Sequence, residues 1–289
     1  MNILEWTEAG QRIEIEGHKI FAIDFGAGAD KEVIVILHGY PTSSFDYKDV
    51  LPHLSERYRV IIHDHLGFGL SDKPEDYSYS LMEQADRALL LWKSLGVERA
   101  HLVAHDYGTS IATELIARRN MGFEPIKLES LTLCNGSVHI ELAKLRIIQK
   151  LLRNQTVGPL VAKLSSKRIF RKNMRKLWHD PSLLPEEEID SMWELLTMNE
   201  GKKALPRITQ YLRERERFWH RWVGALKKTD IKSNILWGNE DPITGGHIAR
   251  IHHEEMPGSQ LRILEGLGHY PMIEDPRRWA VGLIEGIQR

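Results

Sequence analysis

His101-Leu-Val-Ala-His-Asp106-Tyr-Gly-Thr-Ser110 reads as a short apolar strand running into a tight turn and then a helix of small residues, with an acidic side chain at the apex. The spacing Ala104-x-Asp106-x-Gly108 is that of a nucleophile elbow, in which small neighbours let strand and helix approach while the apex side chain points into a site. The competing reading is a helix cap, because Asp is a common N-cap after a strand. The rest of the chain decides between them.

Upstream, Glu32-Val-Ile-Val-Ile-Leu37 is a continuous β-branched run of the kind expected for a strand covered on both faces, and it ends at His38-Gly39-Tyr40-Pro41. Tyr58-Arg-Val-Ile-Ile-His63 ends in the Gly-rich Asp64-His-Leu-Gly-Phe-Gly-Leu-Ser71. Arg12 to Phe25 alternates as an antiparallel hairpin about Glu16-Gly17-His18, and Gly26-Ala-Gly-Ala-Asp30 breaks it. Leu81 to Leu95 has helical periodicity, with Gly96 as its C-cap. Leu128 to Cys134 is a further apolar strand, ending at Asn135-Gly136. Strands alternating with helices predict a mostly parallel sheet, with function gathered at the strands' carboxyl ends.

From Ser137 to Lys228 only helical periodicity is present, broken at Gly158-Pro159, Asp180-Pro181, Leu184-Pro185 and Glu200-Gly201. This segment holds 20 Lys and Arg against 10 Asp and Glu, a net +10, whereas the whole chain is at −1 and the remainder therefore at −11. The pattern predicts an α/β core, residues 1–136 and 229–289, flanked by helices and carrying an inserted all-helical cap at 137–228. Strand character resumes at Ile231 to Trp237 and at Leu261 to Leu264. The first stops at Gly238-Asn-Glu-Asp241-Pro242 and the second at Gly266-Leu-Gly-His269-Tyr-Pro271, before a terminal helix from Arg277 to Ile287.

Bulk properties exclude several classes. In 289 residues acidic and basic groups nearly cancel, which argues against a nucleic-acid partner. The lone Cys134 excludes an internal disulfide and a cysteine-held zinc. The first ten residues lack the basic segment and long apolar run of a signal peptide, and no apolar run is long enough to span a bilayer. The expectation is a cytoplasmic protein acting on a small molecule.

Four strand ends thus deliver His38-Gly39-Tyr40-Pro41, Asp106, Asp241 and His269, in the order oxyanion loop, nucleophile, acid, base. Each has an ordinary alternative: Asp before Pro starts turns, and a Gly-His pair serves in any loop. All four in that order, each directly after a strand, favour the joint reading.

These residues carry a resemblance. Val35-Ile-Leu-His38-Gly-Tyr-Pro-Thr-Ser-Ser44, Asp64 to Ser71, Ala104-His-Asp-Tyr-Gly108, Trp237-Gly-Asn-Glu-Asp-Pro242 and Gly268-His-Tyr-Pro271 resemble the epoxide hydrolase and haloalkane dehalogenase branch of the α/β-hydrolase superfamily. Ser130 to Gly136, Gln210-Tyr211 and Arg221 to Leu226 are similar to the mesoderm-specific transcript group within it. The resemblance implies additional apolar N-terminal sequence in the animal members of that group, which this sequence does not show and which puts membrane embedding in doubt.

A carboxylate nucleophile has a chemical meaning. It is already anionic and can displace a leaving group at saturated carbon, which points to opening an epoxide or expelling a halide. The expected mechanism has Asp106 forming an alkyl ester, which His269, oriented by Asp241, hydrolyses through water. The N–H groups of Tyr40 and Tyr107 form the expected oxyanion hole, and no metal or organic cofactor is required. The resemblance implies that dehalogenases hold the halide with a Trp after the nucleophile and often an Asn after His-Gly, where this chain has Tyr107 and Tyr40. It also implies that epoxide hydrolases carry an aromatic after His-Gly and cap tyrosines that donate to the epoxide oxygen. The cap has one, Tyr211, where two are expected. Tyr211, His38 and Gly39 are the expected substrate contacts. A dehalogenase, a cofactor-free oxygenase and a binding-only protein are the alternatives.

Some residues stand aside from that chemistry. In His63-Asp64-His65 neighbouring residues point to opposite faces when extended, which separates the acid from the histidines, and no distant ligand set is evident, against a metal site. His105 is expected to be structural, and His252-His253 to lie solvated on a helix. The basic cap, with Trp178, Trp193, Trp219 and Trp222, has two readings: an anionic membrane contact, or a solvated face over packed tryptophans.

Overall fold

The computed structural model describes residues 1–26 and 31–288; Ala27 to Asp30, part of the expected break after the hairpin, lie outside them. The strands are β1 (Gln11–Ile15), β2 (His18–Phe25), β3 (Glu32–Leu37), β4 (Tyr58–His63), β5 (Arg99–His105), β6 (Lys127–Cys134), β7 (Lys232–Gly238) and β8 (Gln260–Leu264). They form one sheet in the order β1-β2-β4-β3-β5-β6-β7-β8. β2 runs antiparallel to β1 and β4, and β3 to β8 pair in parallel. The continuous apolar runs follow from this, because the central strands are covered on both faces. Val35, Leu37, Leu102 and Ala104 join one core, and Ile34, Ile36 and Val103 the other.

The helices before β6 are α1 (Ile3–Ala9), α2 (Leu51–Ser55), α3 (Leu81–Ser94) and α4 (Tyr107–Arg119). α3 begins at Ser80, whose side chain accepts from the Met82 N–H, and ends at Gly96 with φ +71°. α1 has no counterpart in the periodicity reading. Its start is a capping box, Asn2 and Glu5 each accepting from the other's backbone N–H at 2.9 Å.

Between β6 and β7 the described elements are all helical: α5 (Ile147–Leu152), α6 (Gly158–Leu164), α7 (Lys167–Arg175), α8 (Glu186–Thr197), α9 (Gly201–Ile208), α10 (Tyr211–Arg217) and α11 (Trp219–Lys228), with a short 3-10 turn at Met198–Glu200. Several sequence breaks are helix starts. Pro159 sits in the first turn of α6 and Pro185 is the N-cap of α8, positions where the missing N–H costs nothing. α12 (Gly246–Glu255), α13 (Pro271–Glu274) and α14 (Pro276–Gln288) complete the chain.

Candidate active site

Asp106 stands between β5 and α4 with φ +41° and ψ −103°, a conformation costing about 1–3 kcal/mol that the surroundings must hold. Its carbonyl oxygen accepts from the Thr109 N–H (3.1 Å), the Thr109 hydroxyl (2.6 Å) and Arg215 Nη2 (2.9 Å). Two glycines permit the turn. A Cβ on Gly108 would collide with the Leu37 carbonyl, and one on Gly136 would lie 2.6 Å from the Asp106 Cα. The Asp106 side chain makes no cap hydrogen bond to α4, so the helix-cap reading fails. Its Oδ2 instead accepts from the Tyr40 N–H at 3.0 Å. The second expected donor, the Tyr107 N–H, lies in the first turn of α4, where backbone N–H groups have no partner within the helix.

His269 and Asp241 meet after β8 and β7. The Asp241 carboxylate accepts from His269 Nδ1 (2.7 Å), the Thr244 hydroxyl (2.5 Å), Asn135 Nδ2 (3.0 Å) and the Ile243 N–H (2.7 Å). Burial alone would raise the Asp241 pKa, but these partners outweigh it and hold the group well below the carboxylate range. Burial likewise opposes the His269 cation, yet Asp241 overcomes it and leaves the imidazole pKa above 6.5. The His269 loop is pinned by its own N–H to the Leu177 carbonyl (2.8 Å). Asn135, which cannot be an acid, acts as a bracket: its amide also donates to the Gly238 carbonyl (3.0 Å) and accepts from the Gly238 N–H (2.8 Å).

Asp106, His269 and Tyr40 line one cavity, closed over by the insert. Its wall is mostly apolar, from Ile148, Leu152, Phe170, Met174, Leu177 and Trp193, with Arg146, Gln149 and Asn173 as polar members. Tyr211 stands behind that wall: its ring is 5.7 Å from that of Tyr40 and its hydroxyl accepts from Gln149 Nε2 at 3.3 Å. Burial raises its phenol pKa, so the hydroxyl keeps its proton. The other expected substrate contacts, His38 and Gly39, do not line the cavity. The His38 ring is spent on the Gly39 carbonyl (2.8 Å) and the His65 N–H (3.0 Å), while Gly39 leaves room for the His105 ring.

Sequence reasoning missed Arg215. It is buried on α10, one turn after Tyr211, with Nε donating to Ser110 Oγ (2.7 Å) and Nη2 lying 3.8 Å from Asp106 Oδ1. Its guanidinium sits 4.7 Å from the Tyr211 ring centre. The signal was the i, i+4 spacing, which puts both side chains on one helix face. His105 is structural as expected, meeting the His269 carbonyl at 2.8 Å, and burial holds its pKa at about 3. His252 corrects an expectation: it is buried against Trp237 and His139 rather than solvated, and burial holds its pKa at about 4. Among the described residues no group of three or more His, Cys, Asp or Glu is arranged to hold a metal.

Comparison with known proteins agrees with this architecture. LipZ of Mycobacterium tuberculosis, which carries a hydrolase designation, is 38% identical over 279 residues, covering 96% of each chain. The mouse mesoderm-specific transcript protein is 34% identical over 279 residues, 94% of this chain and 83% of its own. The crystal structure of haloalkane dehalogenase DbeA from Bradyrhizobium elkani superposes with a TM-score of 0.81 at 21% identity, covering 96% of this chain and 98% of that one, a likeness of fold. A family model described as the alpha/beta hydrolase fold matches residues 32–276, and the chain belongs to that family.

Proposed function

We propose that the protein is a hydrolase working through a covalent ester on Asp106, with an epoxide on a small to medium apolar molecule as its substrate. The observation that carries this reading is the carboxylate at the elbow apex, held by the Tyr40 N–H and sharing a cavity with His269. An Asp106 oxygen attacks an epoxide carbon; the ring C–O bond breaks and the freed oxygen takes a proton from solvent, since Tyr211 lies behind the cavity wall. Gln149 lines the cavity and donates to Tyr211, which ties the phenol to the wall rather than to the substrate. His269 Nε2 then takes a proton from water, and the hydroxide adds to the Asp106 carboxyl carbon. The N–H groups of Tyr40 and Tyr107 hold the oxyanion. Collapse expels the diol oxygen, which regains a proton from the imidazolium, and Asp106 returns to the carboxylate by giving its proton to solvent.

Expulsion of a halide uses the same nucleophile, but Tyr107 is fully buried and its side chain does not line the cavity. The test is a single turnover in heavy-oxygen water with a panel of epoxides and haloalkanes. The proposal predicts label in the Asp106 peptide and an unlabelled first product. Label in the first product means that water attacks the substrate directly and overturns it.

A further inference from the structure

The N-terminal half of the insert carries a surface that the chemistry above does not use. From Leu142 to His179 the sequence has eleven Lys and Arg and no Asp or Glu. Within this stretch the described structure exposes aliphatic side chains: Ile147 at 76%, Leu160 at 57%, Leu164 at 66%, with Leu151, Val157 and Ile169 also exposed. Arg153, Lys167, Arg171 and Arg175 are ion-paired to other parts of the insert. Lys144, Lys150, Lys163, Arg168, Lys172 and Lys176 are exposed and form no ion pair among the described residues.

The same helices wall the cavity. On α5, Ile148 and Leu152 face the cavity while Ile147 and Leu151 face out, and Ile169 on α7 both lines the cavity and is exposed. Apolar side chains amid unpaired cations, on a stretch with no acidic residue of its own, are complementary to a surface that is apolar beneath and negative at its face. No described helix is long and apolar enough to cross a membrane, so contact would be at the surface. Trp178 and Trp222 are not the anchors: Trp178 is stacked on Tyr270 and Trp222 donates to Glu114 from the core.

We propose that α5, α6 and α7 dock the protein on an anionic phospholipid surface, with the cavity opening toward the lipid. Amphiphilic substrates then enter from the bilayer. Docking is independent of the ester chemistry, since vesicle binding is read without turnover, and the failure of one leaves the other standing.

The test is flotation of the full chain with phosphatidylcholine vesicles, alone or containing phosphatidylglycerol, at low and high salt. Binding is expected only to the anionic vesicles and should be released by salt. The substitutions Leu160→Asp and Leu164→Asp, neither at a cavity-lining residue, should weaken it roughly tenfold each. Lys163→Glu and Lys172→Glu should weaken it roughly fivefold each. Unchanged circular dichroism melts confirm that these variants fold. Equal binding to neutral vesicles, absence of binding at low salt, or a dimer that Leu164→Asp dissociates would overturn the proposal, the last by showing a second copy on the patch.

Discussion

In the C-terminal half of the insert, α9 to α11, buried charge meets buried charge across the boundary with the core. Arg215 reaches Asp106 and Ser110; Glu214 accepts from the Ser80 hydroxyl and the Leu81 N–H at the start of α3, both at 2.7 Å. Glu114 of α4 takes Arg221 (2.8 Å) and Trp222 (2.9 Å). In the N-terminal half, α5 to α7, the ion pairs go only to other insert helices and the outward residues are unpaired cations and aliphatics. One half is bolted to the nucleophile's support, while the other is turned outward. A buried ion pair adds little net stability but is costly to break, so the bolted half should respond strongly to single substitutions and the outward half weakly.

Arg215→Met breaks the contrast most directly. It strands the buried Asp106 carboxylate and should cost about 3–5 kcal/mol of unfolding free energy, read by urea denaturation. A cost below about 1 kcal/mol would remove the distinction between the halves.

Glu114→Gln keeps shape and loses charge, and should cost about 2 kcal/mol. Burial would raise the Glu114 pKa, but Arg221, Trp222 and Arg118 outweigh it and hold it below 4.5. Its contribution is therefore complete above pH 4.5 and lost as pH falls through the folded-state value. Melts of parent and variant should converge in acid; a gap that widens there contradicts the assignment.

The pH dependence of turnover reports on the core side of the boundary. Because the His269 pKa is raised above 6.5, the neutral base is lost below a limb lying above pH 6.5, with about tenfold slower turnover per pH unit beneath it. The limb should stay in place in variants of the outward half, whose charges lie outside the His269–Asp241 pair.

The smallest effect belongs to Leu160→Asp and Leu164→Asp, which should each change unfolding free energy by no more than about 0.5 kcal/mol. A larger loss would mean that these leucines are packed.

The elbow, the strand ends and the insert were legible because each is a local pattern. A β-branched run, a Gly-flanked apex and a switch from strand to helical periodicity do not depend on distant partners. Arg215 was not legible in the same way, since one arginine among 20 Lys and Arg of the insert acquires its role only when α10 turns it under Asp106. The basic excess of the insert was countable, but its direction was not. Trp178 and Trp222 pack in the interior, while Ile147, Leu160 and Leu164 stay outside. α1 was readable from its Asn2 and Glu5 capping box, yet its seven residues are too short for periodicity to declare.

The central claim is that Asp106 becomes esterified and His269 releases it. The most direct measurement is the intact mass of the His269→Gln protein after incubation with the epoxide panel. An adduct of the full mass of one epoxide is expected, located on the Asp106 peptide and absent from Asp106→Ala. Failure of any adduct to accumulate, with Asp106→Ala still turning substrate over, contradicts it.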